Sequence, residues 1–197
     1  MKKALAFILL LSLVTWAYPA DFKIIAGLSL SKSTEGIGLA DEGWLYPPHP
    51  ESGAGFVAGG GIEFSLARNV VLEADALFLQ KGSKIRYEMS SLGPFMARIN
   101  ELSIPVLVKV LLKPGTSPYI VGGGEFAFVL TDGPKSIDYG LVVGIGFRKQ
   151  LKKASMSIEA RYHHGLQDMR PDNLIFSYFP AGLRKMRVFV FMLGFSI

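Results

Sequence analysis

The sequence predicts an all-β fold, an eight-stranded antiparallel up-and-down transmembrane β-barrel. Three observations carry this expectation. Eight segments alternate apolar with polar or small side chains at a period of two. Each runs for about ten to thirteen residues, enough for a tilted strand to cross a bilayer, whereas ordinary strands run about five or six. The connections alternate long and short, the pattern of longer outer loops and short periplasmic turns.

Composition bounds the alternatives. The 197 residues suit one domain, half of them are hydrophobic and the net charge is +5. Charged residues make up 19%, too few for a disordered tail, and the mild positive balance is no nucleic-acid-binding patch. The chain has no cysteine. Thiolate zinc sites, disulfides, a cysteine nucleophile and a lipoprotein anchor are thereby excluded. Residues 1–20 read as a signal peptide: Lys2 and Lys3, then the apolar run 4–14, then Ala17 or Ala20 as the cleavage position. That run falls short of the roughly twenty apolar residues of a membrane anchor. The barrel domain is expected over 21–197.

The segments follow in order. In 22–32, Phe22, Ile24, Ala26, Leu28 and Leu30 share one face, with Lys23, Ile25, Gly27, Ser29 and Ser31 opposite. Segment 54–66 sets Phe56, Ala58, Gly60, Ile62 and Phe64 against Val57, Gly59, Gly61, Glu63 and Ser65. In 70–82, Leu72, Ala74, Ala76 and Phe78 oppose Glu73 and Asp75, but Leu77 and Leu79 share the polar face. Segment 101–113 has an unbroken apolar face from Leu102 through Val106 to Leu112, with Glu101, Ser103, Pro105, Leu107, Lys109 and Lys113 behind it. Segment 120–130 places Ile120, Phe126 and Phe128 opposite Gly123, Glu125 and Ala127. In 138–147, Tyr139, Leu141, Val143, Ile145 and Phe147 oppose Asp138, Gly140, Gly144 and Gly146, a face that Arg148 continues. Segment 155–166 sets Met156, Ile158, Ala160 and Tyr162 against Ser155, Ser157, Glu159, Arg161 and Gly165. Segment 187–197 is apolar on both sides, its larger face running Phe189, Phe191, Leu193, Phe195 and Ile197. Residues 33–53, 83–100 and 167–184 are the long connections, with 132–137 a shorter one on the same side. Residues 67–69, 114–118 and 149–153 are the turns.

Backbone polar groups and charge cannot face hydrocarbon, so a spanning sheet must close and direct its unbroken apolar faces to lipid. The other faces must then fill the lumen. Eight strands leave an interior just wide enough for side chains, so the lumen is expected to be a polar core and not a broad pore. Its charges are Glu63, Glu73, Asp75, Glu101, Lys109, Glu125, Arg148, Glu159 and Arg161. Their mixed signs point to an ion-pair network rather than acid–base chemistry, with Glu73 or Asp75 within reach of Lys109 on the adjacent strand. The runs Gly59–Gly61 and Gly122–Gly124 continue a strand alternation and open no helix, so they are no phosphate loop. They relieve crowding in a coiled wall. His164 has outward parity near the rim, without a serine two positions on to act as nucleophile. His49 lies in the Pro-rich stretch 46–50 without evident metal-ligand partners.

Several of these segments resemble the PorT-like outer-membrane β-barrel domain proteins, architectural relatives of the OmpA and OmpX barrels. The similarity rests on Gly27-Leu28-Ser29, LEADALFLQKG (72–82), ELSIPVLVKVLL (101–112), SPYIVGGGEFAFVL (117–130), DYGLVVGIGF (138–147), SIEARYHHGL (157–166) and the closing 188–197. It implies an eight-stranded barrel in the outer membrane of a diderm bacterium, contacting outer-membrane lipid, lipopolysaccharide and the barrel assembly machinery. Such barrels usually end on an aromatic residue; here Phe195 keeps outward parity but the last residue is Ile197. The family carries no general catalytic motif. No catalytic, cofactor-binding or metal-ligating residue is therefore expected, and the function read from the sequence is non-enzymatic, structural or interactive. The outer loops, with Trp44 and Tyr46, would receive any protein partner. A narrow solute channel, a lipid A-modifying enzyme and a soluble lipocalin-like carrier are the competing readings.

Overall fold

The computed structural model describes residues 20–33, 49–86, 95–131, 136–167 and 185–197. The leader, apart from Ala20, and the loop residues Trp44 and Tyr46 lie outside these. Eight strands follow one another: β1 (Ala20–Ser33), β2 (His49–Ala67), β3 (Val70–Arg86), β4 (Phe95–Leu111), β5 (Ser117–Val129), β6 (Ile137–Gln150), β7 (Ser155–Gly165) and β8 (Met186–Ser196). Each pairs antiparallel with its neighbours in sequence, and β1 pairs with β8 to close the barrel. The seam runs to its end: Phe22 and Ile197 exchange backbone N–H···O bonds of 3.0 and 2.9 Å.

The alternation sorts as the solvent argument requires. Leu28, Ile145, Ile158 and Leu193 are each more than 60% exposed on the outer wall, while Leu107, Ser29 and Glu73 are wholly buried inside. A continuous outer surface of Leu, Ile, Val and Phe is far larger than the isolated apolar patches of soluble proteins and is matched to lipid. Phe64 departs from this pattern. It has outward parity but is buried, close to the register shift between Ser65 and Ala67.

Three strands are longer than their hydrophobic alternation. β2 has 19 residues and β3 and β4 have 17 each, so part of the expected loops at 33–53 and 83–100 is strand. His49 accordingly begins β2 instead of lying in a loop. The ladder continues past the apolar belt because backbone pairing is indifferent to whether side chains meet lipid or water. A register shift between Gly53 and Val57 bends the projecting part of the β2–β3 pair. At the other end the connections stay short; Gly115, at φ +84°, supplies the left-handed residue that the β4–β5 turn needs.

Placing a charge on the outer wall tests this sorting. Val106 and Val143 are half exposed on the lipid face. Val106→Arg or Val143→Arg should each cost about 2–4 kcal/mol if near the bilayer midplane, read as a lower urea midpoint in reconstituted vesicles. An unchanged midpoint would reverse the inside–outside assignment.

Candidate functional site

The chemistry of the described residues is concentrated in the lumen, where the inward faces bring charges from seven strands together. Near the short-turn end, Lys23 (β1) lies 2.9 Å from Glu73 Oε1 on β3 and 3.9 Å from both Glu63 on β2 and Glu159 on β7. Lys109 (β4) lies 2.7 Å from Glu63 Oε1, contacts Glu73, and has its Nζ 4.7 Å from the centre of the Tyr119 ring. Arg161 (β7) donates to Asp75 Oδ2 at 2.8 Å and also to Glu73 and Glu159. Arg148 (β6) reaches Glu63 Oε2 at 3.0 Å. Four cations, Lys23, Lys109, Arg148 and Arg161, thus face four carboxylates, Glu63, Glu73, Asp75 and Glu159. This balance suits groups that have left water and can hold charge only when paired.

Three of these contacts cross the diameter. In a ring of eight, β3 and β7 are four places apart in either direction, as are β2 and β6. Arg161 to Asp75 and Glu73, and Arg148 to Glu63, are therefore straps across the lumen, not links along the wall.

A second group sits nearer the long-loop end. Lys81 lies 2.6 Å from Glu101 Oε2 and 2.9 Å from Asp138 Oδ2, and His163 Nδ1 contacts Glu125. Three carboxylates here share one lysine and one histidine. Glu101 Oε1, Asp138 Oδ1, Ser103 Oγ and His163 Nε2 are buried without a hydrogen-bond partner.

The polar core expected from the sequence also holds two apolar clusters. Ile25, Val57, Leu77, Leu79, Val188, Val190 and Met192 form one buried apolar cluster, and Val71, Leu107, Leu111, Tyr119, Val121 and Val142 form another. Charges in a narrow interior need partners within reach, whereas apolar side chains fill the remaining space without any. Glycine provides the room. A Cβ on Gly146 would fall 2.3 Å from Tyr119 Cζ, so this glycine makes space for the ring whose hydroxyl donates to Glu159 at 2.5 Å. Gly194 likewise leaves room for the Lys23 stem, and Gly61 for the Asp75 carboxylate.

The expected charges all reach the lumen. Glu73 meets Lys109, but Asp75, the alternative partner, turns to Arg161 instead. Lys23, Lys81, Asp138 and His163 were not singled out as network members. Their inward parity, shared with Ile25, Leu79, Gly140 and Arg161, was the available signal. His164 faces outward, with Leu141 and Arg187 as cross-strand partners and its Nδ1 3.4 Å from Tyr162 Oη.

An apolar wall around a strapped, side-chain-filled interior defines an integral membrane β-barrel. The sequence model of the outer membrane protein beta-barrel domain matches residues 26–170, and the chain belongs to that family. Among solved structures, it is similar to the outer membrane protein OprG from Pseudomonas aeruginosa. The two share 18% identity at a TM-score of 0.51, over 91% of this chain and 95% of that one. At this identity the likeness is one of fold. No curated protein matches the chain.

Removing one member of the network should cost more than removing a pair. Lys109→Met leaves Glu63 and Glu73 short of a buried partner and should destabilise by about 3–5 kcal/mol, whereas adding Glu63→Gln should restore part of the loss. Urea titration of the reconstituted protein checks both. Gly146→Ala should cost about 1–3 kcal/mol by pushing on Tyr119. In the Tyr119→Ala background the same substitution should cost markedly less, the coupling expected of residues in contact.

Proposed function

We propose that this chain is a non-enzymatic, occluded barrel with a structural or interaction role in the outer membrane of a diderm bacterium. It reaches that membrane through a cleaved signal peptide and belongs to the PorT-like branch that its segments resemble. It sits in lipid and lipopolysaccharide, is inserted by the barrel assembly machinery, and meets any protein partner through its long loops. The observation that carries this reading is the set of straps, Arg161 to Asp75 and Glu73 and Arg148 to Glu63, which span the lumen from wall to opposite wall. A structural barrel tolerates such crossing contacts; a solute path has to break them.

The competing reading, a narrow channel, draws on one observation. Three carboxylates face one lysine and one histidine in the group nearer the long loops, so a path opened there would prefer cations. Planar-bilayer recording separates the two. The occluded barrel should show no discrete conductance steps at either polarity. Sustained cation-selective steps that change with Glu101→Gln would establish the channel. A lipid-modifying activity would remove an acyl chain from lipid A in cells expressing the protein. We expect unchanged lipid A, and a lost chain that returns in His164→Ala would overturn the non-enzymatic reading.

A further inference from the structure

The outer wall is apolar along most of β1, β7 and β8, and at the long-loop end it changes character abruptly. The register sets Lys32 of β1 directly opposite Arg187 of β8, and Arg187 directly opposite His164 of β7. All three have outward parity, and Lys32 and Arg187 are exposed. The next outward residues toward the short-turn end are Leu30, Phe189 and Tyr162, also paired in a row. A line of basic side chains across three strands thus stands immediately above a line of apolar ones.

This arrangement has a cost that the described residues do not offset. Like charges directly opposite on neighbouring strands repel. Among the described residues neither Lys32 nor Arg187 has an ion-pair or hydrogen-bond partner, and the outward faces of β6, β7, β8 and β1 carry no carboxylate. This contrasts with the lumen, where each lysine and arginine meets a carboxylate. Among the described residues, the wall supplies no counter-charge at this rim.

Position says what lies there. Phe22 and Lys32 are ten residues apart on the outward face of β1. At about 3.3 Å per residue and a tilt of about 40°, that is about 25 Å along the membrane normal, the height of a barrel's apolar band. The basic row therefore falls at the level of lipid headgroups. His164 suits the same ligand. If the neutral ring accepts the Tyr162 hydroxyl at Nδ1, its proton is on Nε2, leaving a donor for an anion.

We propose that Lys32, Arg187 and His164 form a binding row for the phosphate of a phosphorylated lipid headgroup in the leaflet at the long-loop end. Arginine and lysine hold such a group by charge-assisted hydrogen bonds, and the apolar row of Leu30, Phe189 and Tyr162 lies against its acyl chains. The site rests on the membrane-barrel reading above and adds to it a lipid with a defined chemistry.

The test uses the full mature chain refolded into three preparations: phosphatidylcholine vesicles, the same vesicles containing bisphosphorylated lipid A, and phosphatidylcholine vesicles in inorganic phosphate. The readout is the temperature at which the compact gel band converts to the boiled form. The phosphorylated lipid should raise that temperature by a few degrees, and inorganic phosphate should not. Lys32→Gln/Arg187→Gln should lose the increment yet remain at least as stable as the parent in phosphatidylcholine, because a repelling pair has gone. His164→Gln should lose part of it, and Lys149→Gln/Lys152→Gln at the opposite end should keep it. An increment that survives the Lys32/Arg187 substitutions, that is absent from the parent chain, or that free phosphate reproduces would overturn the site. A band that fails to shift on boiling in every preparation would instead overturn the membrane-barrel reading itself.

Discussion

The pairing of β1 with β8 is the contact on which the rest of the architecture depends. Hydrocarbon offers no water to an unpaired N–H or C=O, so a sheet that crosses it can have no open edge. The twelve-residue ladder of β1 on β2 would leave its other side bare without the ladder from Lys23–Ser196 to Ser33–Met186. Once the ring closes, each residue in the belt has only two destinations, lipid or lumen. The period of two is the direct expression of that choice, and it ties register to chemistry. Slipping β4 by one residue would put Lys109 into lipid and Val108 and Val110 among carboxylates.

Closure also explains the crowded interior. Eight strands enclose too little space for solvated charges, so each lysine or arginine must find its carboxylate within the ring. Long side chains then need somewhere to lie, and the wall yields at glycines beside them: Gly146 beneath Tyr119, Gly194 beneath Lys23 and Gly61 beneath Asp75. The two apolar clusters occupy the space between and need no partners. Such a network adds less to net stability than its number of contacts suggests, but it penalises any arrangement in which one member is left alone.

The parts of this structure legible in the sequence are those governed by the membrane. Alternation marked the eight strands and their faces, since a lipid-facing residue must be apolar wherever it sits. The signal ended where the membrane did. At His49–Gly53, 83–86 and 95–100 strand pairing continues beyond the belt, the outward residues are no longer required to be apolar, and the segments read as loop. The lumen was legible in parity but not in partnership. Arg161 and Glu73 converge only because the sheet curves back on itself, and no local pattern encodes which long side chains meet in the middle. Leu77 and Leu79 were visible as exceptions to a polar face, but their role became clear only with Ile25, Val57 and Val190 around them.

The straps also bear on time. Arg161 and Glu73 are 88 residues apart, and Arg161 and Asp75 are 86 apart. They join opposite sides of the ring, so these bonds form only as the last edges approach. Contacts that form after the transition state contribute little to the rate of folding and act mainly on the rate of opening. Arg161 thus acts as a late latch. A contact of that kind lengthens the lifetime of the closed barrel by slowing its opening.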